Sequence, residues 1–261
     1  MKIGIFDSGV GGLAIAGPVW LEFSGAEIFY IADRAFSPYG ELNEEQINER
    51  VLWCAKELAS KKVDLIIVAC NTATAAGVEL LREKYQFPVI GVEPDINFYQ
   101  RDKDINIDLQ KICVLCTPYT LKSLKFNNLK NLRDPNGLIH YKAMKNLARL
   151  VENFFWSDKS EAAKSLLIDD LNKELDGGEF EYFVMGCTHY ELVKDIIEKH
   201  SGAKAIGVSD GILKRCKQLF KDLNKMDKRV ADSCGGFHFY DTSKPGWSMV
   251  DLPKFLSWPR E

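Results

Sequence analysis

Apolar and polar positions alternate along the chain on two scales. Eight short apolar runs, "KIGIFD", "EIFYIA", "VDLIIVA", "FPVIGV", "KICVLC", "LIHYKA", "EYFVMG" and "AKAIGV", are bounded by Gly, Pro or polar residues. Runs of this length, so bounded, predict strands. Between most of them lie longer stretches of helical character. In "NEEQINERVLWCAKELASKK" the residues Ile47, Val51, Leu52, Ala55 and Leu58 recur at helical spacing. In "HYELVKDIIEKH" Leu192, Val193, Ile196 and Ile197 do the same, so each stretch predicts one amphipathic helix packed on a sheet. Strand and helix in alternation predict an α/β fold of mainly parallel sheets flanked by helices.

One segment interrupts the alternation. "YQRDKDINIDLQK", Tyr99 to Lys111, is polar throughout and follows the fourth apolar run, which predicts a crossing into a second domain whose sheet starts at Lys111. A chain of 261 residues is long enough for two modest domains. Its 46% hydrophobic and 27% charged residues are ordinary for a globular protein. A net charge of -3 gives no reason to expect nucleic acid or an anionic membrane surface as partner, and leaves a small molecule. No stretch approaches the roughly 20 apolar residues of a membrane span, and "MKIGIFDSG" lacks the apolar core of a signal peptide. The expected location is the cytoplasm, where the seven cysteines are thiols and not a disulfide framework.

The candidate chemistry sits at the ends of two predicted strands. "LIIVACNTATAAG" ends its strand on Cys70 and continues into Asn71 and Thr72, and "EYFVMGCTHYELV" ends on Cys187 followed by Thr188 and His189. A thiol there faces a helix N-terminus, whose free amides and partial positive charge stabilise a thiolate. Asn71, Thr72 and Thr188 can hold a carboxylate by hydrogen bonds, and His189 can share a proton with Cys187. One such cysteine is more often packing than chemistry. Two, 187 − 70 = 117 positions apart with matching polar followers, reverse that preference. The repetition is consistent with two similar halves.

"IFDSGVGG" places Asp7 and Ser8 at the end of the first strand, before Gly9, Gly11 and Gly12. The spacing does not complete a dinucleotide fingerprint. Two readings stay open: a turn that brings backbone amides to a small anion with Asp7 near a thiol, or a tight turn capped by Asp7. Pro38, Tyr39 and Gly40 build a rigid loop with exposed backbone donors. Thr117 and Thr120 are candidate ligand donors. Cys113 and Cys116 form a C-x-x-C pair, but residues three apart on a strand point to opposite faces, and no second pair completes a zinc site. They are read as structural, with Cys54, Cys216 and Cys234. No metal site is expected.

With "FDSGVGG", "PYG", "VACNTATA" and "MGCTHY" in this order, the chain resembles the glutamate racemase family of cofactor-independent amino-acid racemases. The likeness runs over most of the chain and is strongest in its first 95 residues. It implies two pseudo-symmetric α/β domains, 1–97 with 212–261 and 98–211, with the active site in the cleft between them. It implies that Cys70 takes the α-proton of D-glutamate, assisted by Asp7, and that Cys187 takes that of L-glutamate, assisted by His189. Asp7, Ser8, Tyr39, Gly40, Asn71, Thr72, Thr188 and His189 fall on the family's substrate-binding positions. Glu152, in "ARLVENFF", resembles a further acidic residue near His189. The resemblance further implies no cofactor, a homodimer, and D-glutamate supplied for peptidoglycan synthesis. There are departures: Phe36 stands where a basic residue is usual, Glu191 where a proline is usual, and Cys116 where Ala is usual. They leave open an aspartate racemase or a related small-dicarboxylic-acid isomerase. A non-catalytic ligand-binding or thiol-redox protein is the reading outside that superfamily.

Overall fold

Each of the eight apolar runs contains a strand. The computed structural model describes residues 1–100, 107–157, 160–175, 179–222 and 235–256. Its strands are β1 (Lys2–Asp7), β2 (Glu27–Ala32), β3 (Leu65–Val68), β4 (Val89–Gly91), β5 (Ile112–Cys116), β6 (His140–Ala143), β7 (Tyr182–Gly186), β8 (Lys204–Ile206), β9 (Phe237–Asp241) and β10 (Lys244–Val250). The helices are α1 (Leu13–Glu22), α2 (Glu44–Ser60), α3 (Asn71–Lys84), α4 (Pro118–Lys122), α5 (Leu124–Arg133), α6 (Leu147–Trp156), α7 (Glu161–Leu175), α8 (Thr188–Glu191), α9 (Lys194–Ser201), α10 (Ser209–Asp222) and α11 (Leu252–Leu256).

The strands form two sheets, ordered β10-β9-β2-β1-β3-β4 and β6-β5-β7-β8. Every pairing is parallel except that of β10 with β9. The run β2-β1-β3-β4 and the run β6-β5-β7-β8 share one pattern, in which the second strand of a unit lies outside the first and the third lies on its other side. This is the two-fold similarity that the repeated cysteine motif suggested.

The period-2 geometry of a strand with a core on each face explains why central runs such as β3 and β5 are apolar throughout. Along β3, Leu65 and Ile67 join a core with α1 and α10, whereas Ile66 and Val68 join another with α2 and α3. Along β5, Cys113 and Leu115 face the core of α6, α7 and α9, and Ile112, Val114 and Cys116 face that of Phe126 on α5. The C-x-x-C pair is therefore divided between two cores, with both thiols free and buried. Cys54 and Cys216 are likewise free and buried; Cys234 lies outside the described residues. Truncating a fully buried strand residue such as Ile67 costs about 2–5 kcal/mol.

Helix α2 starts where its sequence directs: Asn43 accepts from the Gln46 amide at 2.9 Å, and Gln46 returns the bond to the Asn43 amide at 3.1 Å. The expected single helix over "HYELVKDIIEKH" is a correction. It divides into α8 and α9 because the Leu192 and Val193 amides bond to the carbonyls three residues back, at His189 and Tyr190. The tightened turn lets the Glu191 carboxylate accept from the Val208 amide at 2.6 Å, where the chain leaves β8 for α10. The second sheet starts at Ile112. Of the polar crossing before it, residues 101–106 lie outside the described residues. Among the described residues no helix is long and apolar enough to cross a membrane.

Candidate active site

In each sheet the strand order changes direction between the first and third strands of the unit, and ligands of open parallel sheets bind beyond the carboxyl ends at such a point. Asp7 ends β1 and Cys70 follows β3 by two residues; Thr117 follows β5 and Cys187 follows β7 directly. The two ends meet. Thr188 donates to Asp7 Oδ2 at 2.8 Å, and the hydroxyls of Thr72, Thr117 and Thr120 lie 3.0 to 3.3 Å apart.

Cys70 caps α3, and its sulfur accepts from the Ala73 amide at 3.5 Å. Its thiol points at the Ser8 hydroxyl, 3.7 Å away. Burial comes first in raising this thiol, and the Asp7 charge adds to it; together they outweigh the amide and push it up to about 12. The expected thiolate at a helix N-terminus is therefore corrected: the Ala73 amide does lower the thiol, but not enough to ionise it at neutral pH. Asp7 is itself held above the usual carboxylate range by burial, although His189 and the Gly9 amide oppose this. It accepts from Gly9 at 2.9 Å, so the capped-turn reading and the nearby-carboxylate reading both hold.

Cys187 precedes a helix of four residues, and no amide caps its sulfur. Its neighbour is His189, whose Nδ1 is 3.9 Å away. On the other side of the ring Nε2 lies 2.8 Å from Glu152 Oε2. An ionised carboxylate only accepts, so Nε2 carries the hydrogen and Nδ1 is left to Cys187. Burial alone would lower the His189 pKa, but the bonds to Cys187 and Glu152 outweigh it and hold the imidazole well above its ordinary range. Glu152 is buried as well, yet His189, the Val10 amide at 3.0 Å and the Trp156 indole at 2.9 Å hold it below the usual range.

The glycines of "DSGVGG" make room for this relay. A Cβ on Gly9 would stand 2.3 Å from Glu152 Oε2, and one on Gly11 would stand 2.4 Å from His189 Nδ1. The anion that the glycine-rich turn receives is thus the protein's own Glu152, which crosses from α6.

The remaining candidates divide. Asn71 donates to the Val92 carbonyl at 3.4 Å, while its buried Oδ1 has no partner among the described residues. Gly40 lies against Thr117, with 3.1 Å left for a Cβ. Pro38 leads into the same turn. Tyr39 is fully buried, and its hydroxyl donates to Asp33 Oδ2 at 2.5 Å. Arg50 grips that Asp33 through two bonds of 2.9 Å. Arg34 and Trp156, both on Glu152 Oε1, were missed. Trp156 follows Glu152 by four positions on α6, a spacing that brings helical side chains together; Arg34 had no local signal.

A family model described as Asp/Glu/hydantoin racemase matches residues 22–212. The sequence is 32% identical over 256 residues to glutamate racemase 2 of Bacillus subtilis (strain 168), covering 96% of this chain and 91% of that protein. Escherichia coli glutamate racemase, solved with L-glutamate and the activator UDP-MurNAc-Ala, superposes with a TM-score of 0.77 at 25% identity, over 98% of this chain and 92% of that one. Glutamate racemase of Francisella tularensis, solved with D-glutamate, does so with a TM-score of 0.75 at 25% identity, over 98% and 94%. Family model, sequence and superposed fold agree: the chain belongs to the Asp/Glu/hydantoin racemase family, with glutamate racemases among its relatives along nearly its whole length.

Proposed function

We propose that the protein interconverts L- and D-glutamate by moving the α-proton between two thiols, Cys70 and Cys187, with no cofactor. The observation that carries this reading is the pair of buried cysteines at equivalent strand ends, each with its own proton-handling partner. Inverting an α-carbon needs a base on one face and an acid on the other, and the roles exchange when the reaction reverses. Cys187 takes the proton of L-glutamate, with His189 receiving its thiol proton and Glu152 balancing the imidazolium. Cys70, resting as a thiol, delivers a proton to the opposite face to give the D isomer. In reverse Cys70 must first be ionised, and Asp7, raised by burial, is the group to take that proton.

Asn71, Thr72, Thr117, Thr120, Thr188, Ser8 and the backbone of Tyr39 and Gly40 are assigned to the substrate. Donors around the α-carboxylate stabilise the developing carbanion, and closure of domains 1–97 with 212–261 onto 98–211 excludes water. A cytoplasmic homodimer supplying D-glutamate for peptidoglycan synthesis completes the reading, supported by the family resemblance alone. The test is incubation of dialysed protein with L-glutamate in heavy water, followed by chiral separation and mass spectrometry. D-glutamate carrying deuterium at the α-carbon is expected; aspartate racemised in preference, or no inversion without an added cofactor, would overturn the assignment.

A further inference from the structure

Glu152 uses its two oxygens for different purposes. Oε2 serves the site, accepting from His189 and from the Val10 amide. Oε1 faces outward and accepts from the Trp156 indole at 2.9 Å and from Arg34 Nε at 3.2 Å. The torsion that orients a carboxylate is soft, so the partners of Oε1 decide which way Oε2 points.

Arg34 is itself held on three sides. Its Nη1 donates to Asp241 Oδ2 at 2.6 Å, at the end of β9, and to Ser243 Oγ at 3.3 Å, in the turn that follows, and its guanidinium lies 3.8 Å from the centre of the Trp156 ring. A planar fork satisfies two carboxylates from separate elements while stacked on an indole; an ammonium does not. Arg34 follows β2 of the first sheet, and Glu152 lies on α6 beside the second. The bond therefore also spans the cleft.

Cys70 is bonded to no member of this assembly: its partners are Ser8 and the Ala73 amide, and Asp7, which acts on it by charge, meets His189 Nδ1 only at 4.0 Å. We infer that Arg34 is a positioning residue for one face of the cleft only: by tying Glu152 to Asp241 it keeps His189 on Cys187. The inference rests on the assignment of Cys187 to the L isomer made above. Its consequence is asymmetric, and that separates it from a general structural role.

Elimination from a β-chloro-substituted glutamate reads each face separately. One thiolate removes the α-proton, the C–Cl bond breaks, chloride leaves with the electron pair, and the resulting enamine hydrolyses to a 2-oxo acid and ammonia. With Arg34→Met, chloride release from the L isomer is expected to fall about tenfold to hundredfold, while release from the D isomer is unchanged. Arg34→Lys should recover only part of the loss. Equal losses from both isomers, or no loss from either, would overturn the inference. Controls with Cys70→Ser and Cys187→Ser establish which thiol serves which isomer. If those fail, the two-thiol reading falls; if they hold while Arg34→Met acts on both isomers alike, only the role of Arg34 falls. Should thermal melting show Arg34→Met unfolded, Asp241→Asn replaces it, with a smaller loss confined to the L isomer expected and a loss from both isomers, or none, counting against it.

Discussion

The two thiols occupy matching positions in two matching units, yet beyond burial and the nearby Asp7 carboxylate their surroundings differ. Cys70 heads a helix of 14 residues and has an amide and a hydroxyl as neighbours. Cys187 heads a turn of four residues and has an imidazole backed by a carboxylate. A helix of one turn has little macrodipole to offer, so on that side the proton is handled by side chains. On the Cys70 side the helix amide is present but loses to burial and to the charge of Asp7. Equal topology has thus been fitted with two different ways to hold a proton, and the resting protein is set as acid on one side and relay on the other.

The most severe way to break this contrast is Gly11→Ala. The added methyl would lie 2.4 Å from His189 Nδ1 and 2.6 Å from the His189 amide nitrogen, which is backbone and cannot swing aside. Displacing α8 by about 1 Å should cost about a hundredfold in racemisation, together with about 1–3 kcal/mol of stability. Circular dichroism and a coupled D-glutamate assay read the two losses; near-parental activity would mean that His189 is not held by that contact.

A second measurement sharpens the Cys70 side. With its thiol raised to about 12, iodoacetamide labelling of the unliganded protein should be slow at pH 8 and rise about tenfold per pH unit up to the limit of the fold. Peptide mass spectrometry follows it. A labelling rate that levels off below pH 9 would contradict the raised thiol.

The smallest effect belongs to Glu191, whose carboxyl burial raises to about 7 against the Val208 amide and Lys194. Its folded pKa lies above the unfolded value of 4.5, so the folded state binds the proton more tightly. This contribution is fully present below pH 4.5, is lost as pH rises to 7, and is constant above. Glu191→Gln should therefore flatten the fall in stability between pH 4.5 and 7 by about 1–3 kcal/mol in urea titrations. Parallel profiles for the two proteins would exclude the buried charge.

The same comparison explains what the sequence could disclose. Most of the eight runs were legible because strands buried on both faces leave few polar positions to blur them; β6 and β8, at the edges of the second sheet, are more exposed and carry His140, Lys142 and Lys204. The β9-β10 hairpin was not: in "FHFYD" half-buried His238 and Tyr240 interrupt buried Phe237 and Phe239, and its partner "KPGWSMV" is largely exposed, so neither makes a continuous apolar run. At the site, Cys70 with Ser8 and Cys187 with His189 were found because each motif is local. Arg34 meets Glu152 across 118 positions and Asp241 across 207, and no spacing rule operates at that range. Nor could a motif reveal the raised Cys70 thiol, which depends on burial that the fold alone creates.

The central claim is that each thiol serves one face. Cys70→Ser and Cys187→Ser should each abolish detectable racemisation, because serine is far too weak an acid to ionise near neutrality. With β-chloro-substituted glutamate, Cys70→Ser should still release chloride from the L isomer and Cys187→Ser from the D isomer. Chloride released by both variants from the same isomer, or racemisation by either at the parental rate, would contradict the account.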